Sequence, residues 1–238
     1  MVFSSLTFLF AFLPITLILY YLVPKKAKNV VILISGLVFY AWGEPIYVLV
    51  MILSTFIDYT AGRIIDKYDD RPKIRTACLL VSLIMNIGLL ATFKYLGFII
   101  EALNAGFGIA IPNPNLPLPI GISFFTFQSM SYTIDIYRGQ LKPLSNWLDY
   151  LFYLSFFPQL VAGPIERATN LLPQFLRPRT FDTAQAVDGL RQALWGFFKK
   201  IVVADNCAIL ANGIFDNYEN LSGGALVIGA AAFSFQIY

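Results

Sequence analysis

The chain has 238 residues, of which 58% are hydrophobic, 16% aromatic and only 13% charged, with a mean hydropathy of +0.68. A soluble domain carries roughly a quarter charged residues, so these figures argue against a soluble enzyme, a disordered chain, a disulfide scaffold and a nucleic-acid binder. What remains is an all-α, polytopic integral membrane protein, in which the placement of the net charge of +3 matters more than its size. With no histidine, the chain has no Ser-His or Cys-His pair, no histidine general base and no histidine metal ligand. Cys78 and Cys207 lie in separate apolar segments without CxxC spacing and read as small buried hydrophobes.

From Met1 to Pro24 there is no charge, and Lys25, Lys26 and Lys28 close the run, which predicts a retained first span over Phe3 to Val23. A signal peptide would carry its charge before the apolar stretch. Asn29 to Trp42 is a second apolar stretch, ended by Gly43-Glu44-Pro45, and Ile46 to Ala61 is a third; both are short for a membrane crossing of about 20 residues. Gly62 to Arg75 holds five basic residues and reads as a water-facing loop, followed by a span from Thr76 to Phe98 in which Lys94 reaches toward the headgroups. Two spans separate the lysine cluster from that loop, so both fall on the cytoplasmic side and the amino terminus lies outside.

Ala102 to Ile134 is uncharged yet contains Pro112, Pro114, Pro117 and Pro119. Proline has no amide hydrogen to give, so this loop belongs at the interface or packed within protein, with a helix restarting from Ile120 to about Ile136. A further helix is predicted over Asn146 to Val161, kinked at Pro158 and ended at Gly163-Pro164, with backbone groups near Gln159 and Ala162 left unpartnered. Then come a polar linker from Glu166 to Arg179, an amphipathic segment from Asp188 to Ala204 and an uncharged apolar stretch from Leu221 to Tyr238. The ending FSFQIY has no polar flank, so the 1–238 stretch is expected to be a single membrane domain of about six to eight segments, cut short at its carboxyl end. There is no internal repeat.

Charges at membrane depth point to function because burying them in hydrocarbon costs at least a few kcal/mol. Asp58 is placed near the end of its helix and Lys94 can snorkel, so neither is singled out. On the helix after the proline loop, Gln128, Ser131, Tyr132 and Asp135 recur at spacings of three and four. Such a stripe either lines a polar tunnel or binds helices to one another. Glu166 and Arg167 read either as a headgroup or substrate contact or as solvated loop, and Lys199 and Lys200 either as an anchor to anionic lipid or as a contact for an anionic donor.

Five words in order carry a resemblance: FSSLTFLFAFLP at Phe3, YAWGEP at Tyr40, LPIGISFFTFQSMSYTIDIYRG at Leu118, FFPQLVAGPIERA at Phe156 and GFFKKIVVADN at Gly196. Together they resemble the membrane-bound O-acyltransferase family in its bacterial, alginate O-acetyltransferase branch. The resemblance implies a plasma-membrane enzyme that moves an acyl group, commonly acetyl, from a cytoplasmic donor to a polysaccharide hydroxyl on the far side. The donor is an acyl-CoA or acyl carrier protein thioester acting as co-substrate, with no bound cofactor or metal. The polysaccharide, or a periplasmic acetyltransferase that hands the group on, is the partner, alongside the bilayer; no nucleic acid is involved. It also implies a histidine base deep in a tunnel, in the carboxyl-terminal half. That base is absent here, so the chain is expected to be the amino-terminal part of a longer or split protein, inactive alone. Gln128, Tyr132, Asp135 and Gln159 are then the tunnel candidates, with Arg138 at the cytoplasmic mouth and Glu166 and Arg167 nearby. The competing reading is a transporter or exporter component, which also uses broken helices, commonly with internal repeats.

Overall fold

Every regular element among the described residues of the computed structural model is helical; the structure describes residues 3–160, 163, 166–177 and 179–237. The chain divides into two compact units, Phe10–Pro178 and Val2–Leu9 with Arg179–Tyr238.

In the first unit, α1 (Leu13–Leu22) takes Pro14 in its first turn, where a missing amide hydrogen is harmless, and ends at extended Val23 before Pro24. Helix α2 (Lys28–Ala41) is 14 residues long, short as expected. Helix α3 (Tyr47–Lys67) and helix α4 (Pro72–Leu90) form an antiparallel hairpin. A π-helical segment, Ala91–Tyr95, joins α4 to α5 (Leu96–Phe107), so Pro72–Phe107 is one 36-residue helix. It stops at Gly108, whose φ of +64° is the left-handed conformation that ends a helix. After the proline loop come α6 (Ile122–Tyr137), α7 (Trp147–Ser155), the short α8 (Phe157–Leu160) and α9 (Ala168–Leu176).

In this unit four sequence expectations need correction. The segment from Gly62 to Arg75 is not a loop: α3 continues to Lys67, only 68–71 turn, and α4 has begun by Pro72. Gly62 is there for packing, since a Cβ on it would come within 2.8 Å of Ile136 Cδ1. Asp58 therefore stands in the middle of a 21-residue helix, not near its end. The helix predicted from Asn146 breaks at Phe156 (φ −61°, ψ 102°), two residues before Pro158. That break places the proline in the first turn of α8, where its ring meets no preceding carbonyl. The Glu166 to Arg179 linker contains α9, whose Ala168, Leu171, Leu172 and Phe175 recur at helical spacing and are buried. Ala162 and Pro164, on which the predicted helix ending rests, lie outside the described residues.

Burial in this unit is inverted relative to a soluble protein. Leu80, Val81, Ile84 and Ile87 of α4 are about half exposed or more, while Ser82 and Asn86 of the same helix are buried. Apolar side chains outward and polar ones inward suit a protein whose solvent is lipid. Helices α3 and the 36-residue helix are long and apolar enough to cross a bilayer. The chain is a membrane protein.

The second unit contains α10 (Thr183–Phe197), a π-helical segment Phe198–Ala204, α11 (Asp205–Phe215) and α12 (Gly223–Ile237). Asp182 caps α10 by accepting from the Ala184 and Gln185 amides, so this helix starts earlier than the predicted Asp188. Helices α11 and α12 pack closely at Gly229, where a Cβ would fall 2.8 Å from Ile214 Cγ2. Lys200 pairs with Asp205 one turn on.

Candidate functional site

Helix α6 is buried on more than one side, against α3 and α4 on one flank and α7 and α9 on others, so its polar residues must find partners inside the protein. Apart from Thr126 Oγ1 and Asp135 Oδ2, which have no partner among the described residues, they do so in two sets.

The first set centres on Asp58, which is 0% exposed. Its Oδ1 accepts from Ser82 Oγ at 2.5 Å, its Oδ2 accepts from Ser129 Oγ, and Asn86 Nδ2 lies 2.9 Å from both oxygens. Ser54, one turn before Asp58, donates to Asn86 Oδ1 at 3.3 Å. Because Ser129 spends its one proton on the carboxylate, its 2.8 Å contact with Tyr150 is a bond donated by the tyrosine hydroxyl. One carboxylate thus gathers α3, α4, α6 and, through Ser129, α7. Wholly enclosed by donors, it acts on helices rather than on a substrate. Sequence reading passed over this cluster, although a signal exists. Ser54 with Asp58, Ser82 with Asn86, and Ser129 with Thr133 each stand one helical turn apart in an apolar segment.

The second set lies where α7 breaks. The break at Phe156 leaves carbonyls of the last turn of α7 without helical donors. Gln128 Nε2 fills that role, reaching the Tyr153 carbonyl at 3.2 Å and Gln159 Oε1 at 3.3 Å. The Tyr153 hydroxyl donates to the Glu166 carbonyl at 3.1 Å, tying the chain beyond α8 back to α7. Between the two sets, Tyr132, Tyr150 and Tyr153 form a run of rings with successive centroids 4.3 and 6.3 Å apart. The Tyr132 hydroxyl accepts from the Leu144 amide at 3.0 Å.

The structure therefore brings Gln128, Gln159 and the backbone of Glu166 into one neighbourhood, with Tyr132 beside it. Asp135 is 5% exposed, and its Oδ2 has no hydrogen-bond partner among the described residues. Arg138 caps the far end of α6 and is exposed, about 15 Å along the helix from Gln128 at 1.5 Å per residue. Arg167 is exposed and the Glu166 side chain half-buried. Arg138 stands at the same end of the helices as the 68–71 turn, since Arg75 near the start of α4 donates to the Tyr137 carbonyl at 2.7 Å. Among the described residues no group of acidic, histidine and cysteine side chains is arranged to hold a metal ion.

Comparison with known proteins gives relatives along the whole chain. It is 37% identical over 242 residues to the probable alginate O-acetylase AlgI of Pseudomonas aeruginosa, covering 100% of this chain and 46% of the relative. It is 31% identical over 269 residues to the peptidoglycan O-acetyltransferase of Helicobacter pylori, covering 100% of this chain and 51% of the relative. A teichoic acid D-alanyltransferase of Lacticaseibacillus rhamnosus is 30% identical over 86 residues, 35% of this chain and 21% of the relative. The chain spans about half the length of the curated relatives that it matches end to end. No family model matches it, and no solved structure does.

Proposed function

Because this chain belongs to the membrane-bound O-acyltransferase family, we propose that it builds part of an enzyme that transfers an acyl group, acetyl by the names of its relatives, to hydroxyls of an extracytoplasmic polysaccharide. The observation that carries this reading is identity to O-acetylases sustained over every part of the chain. The donor is a cytoplasmic thioester, on coenzyme A or an acyl carrier protein, and the acceptor is the polysaccharide itself or a periplasmic acetyltransferase that passes the group on.

The protein lies in the plasma membrane with its amino terminus outside and crosses it six to eight times. Acyl transfer to a hydroxyl requires a base, donors for the developing oxyanion and a path from which water is excluded. This chain supplies the path. Gln128, Tyr132, Asp135 and Gln159 line or brace it, Arg138 stands at its cytoplasmic mouth, and Glu166 and Arg167 lie where α7 and α8 give way to α9. With no histidine among the 238 residues, a histidine base comes from sequence outside them, and this stretch alone does not turn over.

The test is deletion of the gene in its own host, with ester-linked acetate released from the purified cell-surface polysaccharide and from peptidoglycan by mild alkali. Loss of acetate from one of them, restored by the complete gene, is the expected result. Unchanged acetate on both overturns the reading.

A further inference from the structure

At the end of the α3–α4 hairpin opposite the 68–71 turn, the proline loop folds back on the 36-residue helix and leaves a concave space of about 360 Å³. Phe93, Lys94, Phe98, Glu101, Asn113 and Asn115 line it. The loop is held in place at several points. Asn113 Nδ2 donates to Glu101 Oε1 at 3.1 Å, and Asn113 Oδ1 accepts from the Asn115 amide at 3.1 Å. The Asn104 side chain pairs with Ile111 in both directions at 2.9 Å. Tyr47, at the start of α3, donates to the Pro117 carbonyl at 3.3 Å and packs its ring 5.4 Å from that of Phe93. Gly97 permits the close approach: a Cβ there would come 3.3 Å from Asn113 Nδ2. Four prolines further limit the alternatives open to the loop.

The lining chemistry is an ammonium, a carboxylate, two primary amides and a threonine hydroxyl beside phenyl rings and the aliphatic Leu96, Leu116 and Leu118. Donors and acceptors are mixed and close together, which suits a ligand whose groups are each both donor and acceptor, as hydroxyls are. A phosphate has only charge to offer the Glu101 carboxylate, whereas a sugar unit, a uronic acid included, can give Glu101 a hydroxyl and turn any carboxylate of its own to Lys94; an acyl chain would strand the amides. The basic clusters at Lys25 to Lys28 and Arg63 to Arg75 put the opposite end of this hairpin in the cytoplasm, so this hollow faces the extracytoplasmic side.

On these grounds, and resting on the acyl-transfer reading for the choice of saccharide, we infer that the hollow between the proline loop and the Ala91–Phe107 stretch binds a sugar unit of the acceptor polysaccharide. Lys94 and Glu101 bond its hydroxyls, Asn113 and Asn115 orient it, and the phenyl rings take its C–H face.

The experiment measures binding without turnover. The full-length protein in detergent, with no acyl donor present, is titrated with a uronic-acid tetrasaccharide and with cellotetraose, followed by saturation-transfer NMR. The expected result is binding of at least one of them. Its Kd rises about tenfold in Glu101→Gln and in Asn113→Ala, as for the loss of a ligand hydrogen bond. Binding is lost in Gly97→Leu, which fills the hollow. Glu101→Gln is an exposed, nearly isosteric change, so it decides the matter should Gly97→Leu fail to fold. No binding of either sugar up to about 10 mM, or unchanged Kd in Glu101→Gln and Asn113→Ala, overturns the site. The two readings fail separately. Acetate lost on gene deletion but sugar binding indifferent to Glu101 removes the site alone. Glu101-dependent binding in a protein whose deletion leaves acetate unchanged supports the site and removes the acyl-transfer reading.

Discussion

Replacing Asp58 with alanine removes the acceptor shared by Ser82, Ser129 and Asn86 from a fully buried position. An unsatisfied buried donor costs about 1–3 kcal/mol, but none of the three is stranded outright. Ser82 Oγ still has Thr133 Oγ1 at 3.3 Å, Ser129 Oγ has the Tyr150 hydroxyl at 2.8 Å, and Asn86 Nδ2 has the Ser82 carbonyl at 2.9 Å. The loss is therefore nearer one full penalty plus the void left by the carboxylate, about 3 kcal/mol. For a chain of this size that is a fall in Tm of about 6–12 °C. Asp58→Asn keeps one oxygen and turns the other into a donor, which hydroxyls can rotate to accept, and should lose about 1 kcal/mol. The assay is thermal unfolding in detergent with a thiol-reactive fluorogenic dye. A Cys207→Ser background leaves Cys78, half-buried against the Phe10–Pro178 core, as the reporter. The expected order of melting is unsubstituted, then Asn, then Ala, and a double-mutant cycle with Ser82→Ala should show coupling. If Asp58→Ala melts within about 1 °C of the parent, the carboxylate does not hold these helices together.

Two further outcomes follow from the packing. A Cβ on Gly36 would strike the Ser155 carbonyl, so Gly36→Ala should lower stability by about 2 kcal/mol, while Gly88→Ala, with nothing within 4 Å, should be neutral or raise it by about 0.5–1 kcal/mol; paired melting curves check both. Tyr132→Phe removes the acceptor of the Leu144 amide, at a cost of about 1–2 kcal/mol. The 138–146 connection should loosen, seen as faster tryptic cleavage after Arg138, since the bond after Lys142 is to Pro143 and resists trypsin; an unchanged cleavage rate would show that the Tyr132 hydrogen bond does not hold the connection.

Much of the helical layout is legible in the sequence because proline and apolar runs act locally. Helix α6 begins two residues after the predicted Ile120 and ends one after Ile136, since the proline loop before it leaves little choice of start. The failures come where a residue's local meaning is overridden by what packs against it. Gly62 with the charges that follow looks like a loop, yet its missing Cβ serves contact with Ile136 inside a helix. A helix ended at Gly62 puts Asp58 at its end and leaves the carboxylate cluster out of view. Its partners, Ser82, Asn86 and Ser129, sit on two other helices that no spacing along α3 can point to. Helix α9 was hidden by Pro173 and by its charged flanks, although its buried positions follow a helical period. Of the tunnel candidates, Gln128 and Gln159 meet only because α7 breaks at Phe156, a position fixed by the proline two residues later.

The Ala91–Tyr95 segment acts as a phase shifter. A π turn winds one extra residue into a helix, and each residue carries about 100° of rotation, so everything beyond it points along a new bearing. Helix α4 aims Ser82 and Asn86 at Asp58, whereas α5, on the same rod, aims Gly97 and Glu101 at the proline loop. A single-residue deletion within ATFKY would rewind the rod to one heading and swing Glu101 away from Asn113, with every bond made by α4 left intact. One inserted codon is thus enough to let a continuous helix serve two faces.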